Sequence, residues 1–400
     1  MAEKHFPVFI QPVYDYRLNW NGFNLVFRED IPIAENQFSP LAEEWATFVS
    51  IPGFRFFFSL NPDWLQRGMQ GMPFPADQVV FILQPRQALD GDLMARCEEI
   101  KAQGFRFAIV GDAGSILSRN EVASIAVFAA AEAKEKTPAD VWRKMERSDV
   151  KLFATGLNSM ELFKWCAEKK FAFHTFASLD GFRNGKDQPR GSSKLTLMKL
   201  LTLVTQDAET HELELALRQE PRLSFDLLRL VNSASMGLRT KVSSFGHALT
   251  ILGRRQLQRW LQLLMFAHQK EGANDPGILM HRAAARGRLM ELLTKSTIQS
   301  PSLEFQEQAF MVGIFSLLDI LMNMPMEDIL KTLLLADSLD AALSRREGML
   351  GEMLKLVESA ESLDFDGAAQ IMDKLKISPE AFCQAQAAAL NWTHKINVAE

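Results

Sequence analysis

Residues 79–110 read VVFILQPRQALDGDLMARCEEIKAQGFRFAIV. A β-rich run at Val79–Gln84 leads into helical spacing over Leu93–Gln103, and a second β-rich run follows at Phe105–Val110. Strand and helix alternating at a steady interval mean parallel strands joined by crossover helices. The unit recurs on both sides. Further strand runs stand at Phe54–Leu60, Ser124–Ala129, Val150–Thr155 and Phe171–Phe176, with helical spacing again at Met160–Lys169. Two strands come first, Phe6–Gln11 and Phe23–Arg28. The gap between them holds the turn signal Asn19–Trp20–Asn21–Gly22 and is too short for a crossover helix, so this pair is expected to be antiparallel. Eight strands predict a small, modified (β/α), TIM-like barrel. At about 180 residues it is shorter than the ~250 typical of such barrels, so some helices must be trimmed.

The stretch Asp180–Ser193 (DGFRNGKDQPRGSS) is rich in Gly, Pro, Ser and charge, and it divides the chain. The expected organisation is a barrel over 1–180, a linker over 181–193 and a helical domain over 194–400. Strand grammar disappears after the break. Leu195–Val204, His211–Gln219, Ser224–Ala234 and His247–Ala267 are amphipathic helical runs, with Thr210 and Ser224 where N-caps belong. Composition fits two soluble domains: of 400 residues, 47% are apolar and 23% charged, with a net charge of -5. That charge excludes a general nucleic-acid binder. Three cysteines far apart, Cys97, Cys166 and Cys383, form neither a disulfide framework nor a zinc knuckle, which suits a cytoplasmic protein. The N-terminus lacks the apolar core of a signal peptide. The apolar run Ala309–Leu318 is too short for a membrane, so it is read as a buried helix.

Glu220–Leu261, EPRLSFDLLRLVNSASMGLRTKVSSFGHALTILGRRQLQRWL, carries LL-x-x-x-NSA, a Gly-Leu-Arg stretch, a Ser-Ser turn and AL-x-x-LG-x-x-x-L. This ordered pattern resembles the HDOD domain, with Glu220–Pro221 in place of an Asp-Pro opening. The segments VGIFSLLDILM and REGMLGEMLKLVE are similar to the tail of bacterial signalling proteins that join an EAL-type barrel to HDOD. The resemblance implies an EAL-like barrel, which in active members hydrolyses cyclic di-GMP with two divalent metals held by oxygen ligands at strand ends.

Carried over residue by residue, the EAL pattern places Asn24 at the name-giving Glu, Ser59 at a metal-binding Asn and Ile82, or Gln84 after a shift, at the next Glu. Val110 and Gly111 stand at an Asp-Asp pair, with Asp112 slightly out of register. Ala126 stands at the catalytic Lys, Thr155 and Asn158 at a further acidic motif, and His174 at a Gln near the last strand. Amides and alkyl groups do not supply the charge that holds a dication, so neither a metal nor another cofactor is expected. Arg28 keeps a position that in the family contacts a ligand phosphate. HDOD is similar to the HD phosphohydrolases, yet none of the seven histidines precedes an Asp. On the Gly253–Ala267 helix, Arg254, Arg255 and Arg259 accompany Trp260. Arg255, Arg259 and Trp260 are either a partner-binding face or a solvated face with Trp260 in the core. Arg282, Arg286 and Arg288 form a second basic run, read as solvated, and Gly253 is read as a close helix approach. The expectation is a non-enzymatic scaffold or adaptor acting on a protein partner of unknown identity, with no nucleic acid, no membrane and no stated oligomeric state. The alternative is a receptor that binds cyclic di-GMP without cutting it.

Overall fold

The structure is a computed structural model. It describes residues 8–28, 42–59, 74–83, 91–111, 123–181, 192–218, 245–267, 276–333 and 335–398. Eight strands close a barrel in chain order: β1 (Phe9–Tyr14), β2 (Trp20–Val26), β3 (Arg55–Ser59), β4 (Val79–Leu83), β5 (Arg106–Val110), β6 (Ile125–Ala129), β7 (Lys151–Ser159) and β8 (Phe173–Gly181). β1 runs antiparallel to both β2 and β8, and β2 through β8 run parallel. The antiparallel opening follows from the short first connection.

The turn itself sits earlier than the sequence suggests. β1 runs on to Tyr14, past the expected end at Gln11, and β2 already contains Trp20–Gly22. Asp15 sets the reversal: its Oδ1 accepts from the N–H groups of Arg17 (2.7 Å) and Asn19 (2.9 Å), and Leu18 adopts φ 64°. A short acidic side chain that bonds the backbone two residues on makes a turn as well as Asn-Gly does. Gly22 lies where the strands crowd, since a Cβ there would stand 2.5 Å from the Arg55 carbonyl oxygen.

Inside the barrel, Val13, Phe57, Val80, Ile82, Ala108, Ile125, Val127, Phe153 and Phe173 form one apolar cluster. Alternation along each strand turns the neighbouring residues outward. Outside, Phe23, Phe54 and Phe56 pack on Trp45 and Phe48 of α1 (Ala42–Val49), all fully buried. Helices α2 (Gly91–Ala102), α3 (Ala130–Lys136), α4 (Ala139–Glu146) and α5 (Met160–Glu168) complete the described barrel helices. The Ser159 hydroxyl caps α5 by accepting from the Leu162 N–H at 3.2 Å.

The C-terminal part is helical: α6 (Ser192–Thr205), α7 (Thr210–Arg218), α8 (Phe245–Ala267), α9 (Pro276–Thr297), α10 (Leu303–Phe315), α11 (Leu318–Met322), α12 (Met326–Leu333), α13 (Asp337–Arg345), α14 (Gly348–Glu361), α15 (Phe365–Leu375) and α16 (Pro379–Val398). Gly253 does not mark a close approach: nothing lies within 4 Å of a Cβ placed there. Its φ of 74° and ψ of 157° break α8 into two helical stretches, a conformation glycine adopts without steric cost. Ala309–Phe315 are buried as expected, and no described helix is long and apolar enough to cross a membrane.

The chain forms two compact units. One gathers Met1–Phe182, Arg288–Gln306 and Met353–Glu400, the other Arg183–Gly287 and Glu307–Glu352. Compactness thus groups the last helices with the barrel. β1 meets β8 at a single register pair, Tyr14 with His174. At the amino end of β1, the N–H of Val8, just before the strand, donates to Cys383 Sγ (3.2 Å) and the Ile10 N–H to Gln386 Oε1 (3.1 Å), both on α16. Side chains of a C-terminal helix therefore take up backbone donors that β8 leaves free. The break at 182–191 and the stretch 219–244, with Ser224, Asn232–Ala234 and Gly237, lie outside the described residues.

Candidate functional site

The carboxyl ends of β2–β8 and the amino end of β1 share one rim, because Phe9 pairs with Val26. In (β/α) barrels this rim is where chemistry is placed. Val13 and Phe57 belong to the interior cluster, and Asn24 is the register partner of both Gln11 and Phe57. Alternation therefore puts Gln11, Asn24, Ser59 and Thr155 on the inner face near the rim. Asn24 is 7% exposed. Its Nδ2 donates to Gln11 Oε1 at 3.2 Å, and its Oδ1 finds no partner among the described residues. A buried amide oxygen left without a donor costs free energy, about 1–3 kcal/mol. Thr155 Oγ1 donates to the Phe128 carbonyl at 3.1 Å.

The other sequence-derived positions scatter. Ile82 lies in the apolar interior and Val110 packs against it. Ala126 sits between the inward Ile125 and Val127 and is buried on the outer face. Gly111 is half-buried, and Asn158 is exposed on β7 beyond the left-handed Gly156. His174 lies behind the wall, next to inward-facing Phe173. It is fully buried, edge-on to Phe163 of α5 at 4.9 Å, with Nδ1 3.2 Å from the Tyr14 carbonyl oxygen. Burial pushes its pKa down to about 4, against a smaller upward pull from the Tyr14 carbonyl.

Arg28 follows β2 at the rim and its Nη1 donates to Asp366 Oδ1 at 2.6 Å. Sequence reading missed this partner, as it missed Gln11, whose Nε2 donates to the Glu361 carbonyl at 3.4 Å. Gln11 is recoverable once register is known, because it faces Asn24 across the hairpin. Asp366, more than three hundred residues away, leaves no local signal.

Asn24, Ser59, Ile82, Val110, Gly111, Thr155 and Asn158 are neutral, and among the described residues there is no group of three or more His, Cys, Asp or Glu able to hold an ion. The segments 29–41, 60–73, 84–90 and 112–122, which follow β2, β3, β4 and β5, lie outside the described residues. The cysteines are free and buried, and desolvation raises the thiols of Cys97 to about 11 and of Cys166 and Cys383 to about 12.

In the second unit, α8 and α10 bring Arg255 and Arg259 together with an acid and an aromatic ring. Arg255 pairs with Glu307, and the Arg259 guanidinium lies 3.9 Å from the centroid of Phe310. With Gln258 and Gln262 these residues line a shallow cleft. Trp260 is half-buried, while Leu257 and Leu261 are fully buried beside it. The second basic run is engaged rather than solvated: Arg282 is buried, and Arg286 donates to Ser316 Oγ at 2.8 Å. Arg288 pairs with Glu291 at 2.8 Å.

A closed barrel with one reversed strand, joined to a helical array, defines a two-module protein. Residues 194–360 match the HDOD domain family, so this part of the chain is an HDOD domain, and the chain resembles proteins that pair an EAL-type barrel with HDOD. "Cyclic di-GMP phosphodiesterase CdgJ" of Vibrio cholerae is 33% identical over 179 residues, 45% of this chain and 40% of that protein. "Uncharacterized protein YuxH" of Bacillus subtilis is 27% identical over 175 residues, 44% of this chain and 41% of that protein. The chain thus matches about two fifths of the length of these curated relatives. Among solved structures, a standalone versatile EAL protein from Vibrio cholerae with bound c-di-GMP covers 44% of this chain and 91% of its own (15% identity, TM-score 0.34). The cGMP-bound EAL enzyme Bd1971 covers 43% of this chain and 60% of its own (10% identity, TM-score 0.35). The expectation that the chain is not an enzyme is overturned by the Vibrio cholerae relative, which is named a phosphodiesterase.

Proposed function

We propose that this chain is a cyclic di-GMP signalling protein in which the barrel rim receives the nucleotide and the HDOD-bearing helices dock a protein partner, so that the molecule serves as an adaptor. The observation that carries the reading is Asn24, a buried side chain on the inner face of the rim whose Oδ1 lacks a donor among the described residues. Guanine offers N–H donors along its edge, and its phosphate suits a guanidinium such as that of Arg28. The relative named a cyclic di-GMP phosphodiesterase supports the same ligand. On the helical side, the cleft that stacks Arg259 on Phe310 beside Arg255 has the arginine and aromatic content of interface anchors.

Isothermal titration of cyclic di-GMP into the intact chain tests the nucleotide reading. A saturable heat is expected, weakened at least ten-fold by Arg28→Ala, and absence of heat from the wild type removes the reading. Chromatography of the same mixtures with magnesium or manganese shows whether binding leads to a linear product.

A further inference from the structure

The corner between α14 and α15, Glu361–Asp366, rests on the rim of the barrel. Three contacts hold it there. Gln11 Nε2 donates to the Glu361 carbonyl at 3.4 Å. Phe365 stacks on Phe9 with centroids 4.4 Å apart and an interplanar angle of 16°. Asp366 accepts from Arg28 at 2.6 Å. Phe9 and Gln11 share the face of β1 that carries Val13, which lies in the interior cluster, and Arg28 stands just past β2. The corner therefore covers the β1–β2 sector of the mouth. Beneath it Asn24 is joined through Gln11 to the Glu361 carbonyl, in one hydrogen-bonded series.

Two features suit this corner to lifting as a piece. Its shape is set by its own bonds: the Asp364 N–H donates to the Ser359 carbonyl at 2.8 Å, the Asp364 carboxylate accepts from the Gly367 N–H at 3.0 Å, and Leu363 has φ 62°. The ion pair to Arg28 is solvated, with Asp366 77% exposed, so it is weak and exchangeable. A carboxylate on a guanidinium also occupies the place an incoming phosphate would take. We propose that the Glu361–Asp366 corner is a displaceable stopper on the barrel mouth, whose Asp366 competes with a phosphate-bearing ligand for Arg28. Only the identity of that ligand rests on the nucleotide reading above.

The native thiols are all buried, so Asn24→Cys in the intact chain provides a reporter under the stopper. Maleimide labelling of this thiol is expected to speed up at least ten-fold when Phe365→Ala and Asp366→Ala are added. Equal rates overturn the stopper. Should the triple variant lose its near-ultraviolet dichroism, Asp366→Lys, a change at an exposed position that sets like charges together, replaces the pair of alanines under the same criterion. Cyclic di-GMP titrated into Asp366→Ala is a separate arm. Binding about two- to five-fold tighter than wild type, the gain that losing a solvated pair allows, supports the stopper, and unchanged affinity overturns it. Binding by neither protein removes the nucleotide reading, and the labelling rates then decide the stopper alone.

Discussion

At the residue scale, Asn24, Arg28 and His174 were all legible as special from the EAL resemblance, but chemistry at a rim depends on which way a side chain faces. Asn24 and Arg28 face the mouth, whereas His174 does not, because Phe173 takes the inward place beside it. A period of two decides this, and a one-residue shift in an alignment reverses it. His174 instead bears on stability. Its imidazole is buried neutral, with a pKa near 4 against the ordinary 6.5, so between those values the unfolded chain binds more protons than the folded one. The contribution is fully present above pH 6.5 and is lost as pH falls toward 4, amounting to about 3 kcal/mol. Urea midpoints of the wild type are expected to fall more steeply over that window than those of His174→Gln. Parallel pH profiles would show that the ring carries no such penalty.

At the element scale, the strand runs were readable because apolar β-rich segments recur between helical ones, and β3 to β6 fall within a residue or two of their expected places. The hairpin was misplaced because Asn-Gly outweighed Asp15, although both are turn formers. Helix pairing was not readable. α9 and α10 cross at Gly287 and Gly313, where a Cβ on Gly313 would stand 2.6 Å from the Gly287 Cα and from the Arg286 carbonyl oxygen. Within VGIF a glycine reads only as a weak helix residue, and its role appears when the facing backbone is known. Gly313→Val forces backbone apart and is expected to cost about 1–3 kcal/mol or more, measured as a lower denaturant midpoint. An unchanged midpoint would mean the crossing yields freely.

At the scale of the whole molecule, a break in composition at Asp180–Ser193 marked two modules, and a barrel followed by helices is what the chain forms. Sequence proximity could not show that Met353–Glu400 groups with the barrel, because Cys383 and Gln386 reach Val8 and Ile10 from the far end of the chain. The last helices thereby supply partners to β1 and a corner to the rim, so the proposed stopper couples ligand at the rim to order in those helices. Hydrogen exchange with and without saturating cyclic di-GMP reads both at once. Residues 361–366 are expected to exchange faster with nucleotide present and the Asn24–Arg28 segment to exchange more slowly. Unchanged exchange in both segments at saturation would contradict that coupling.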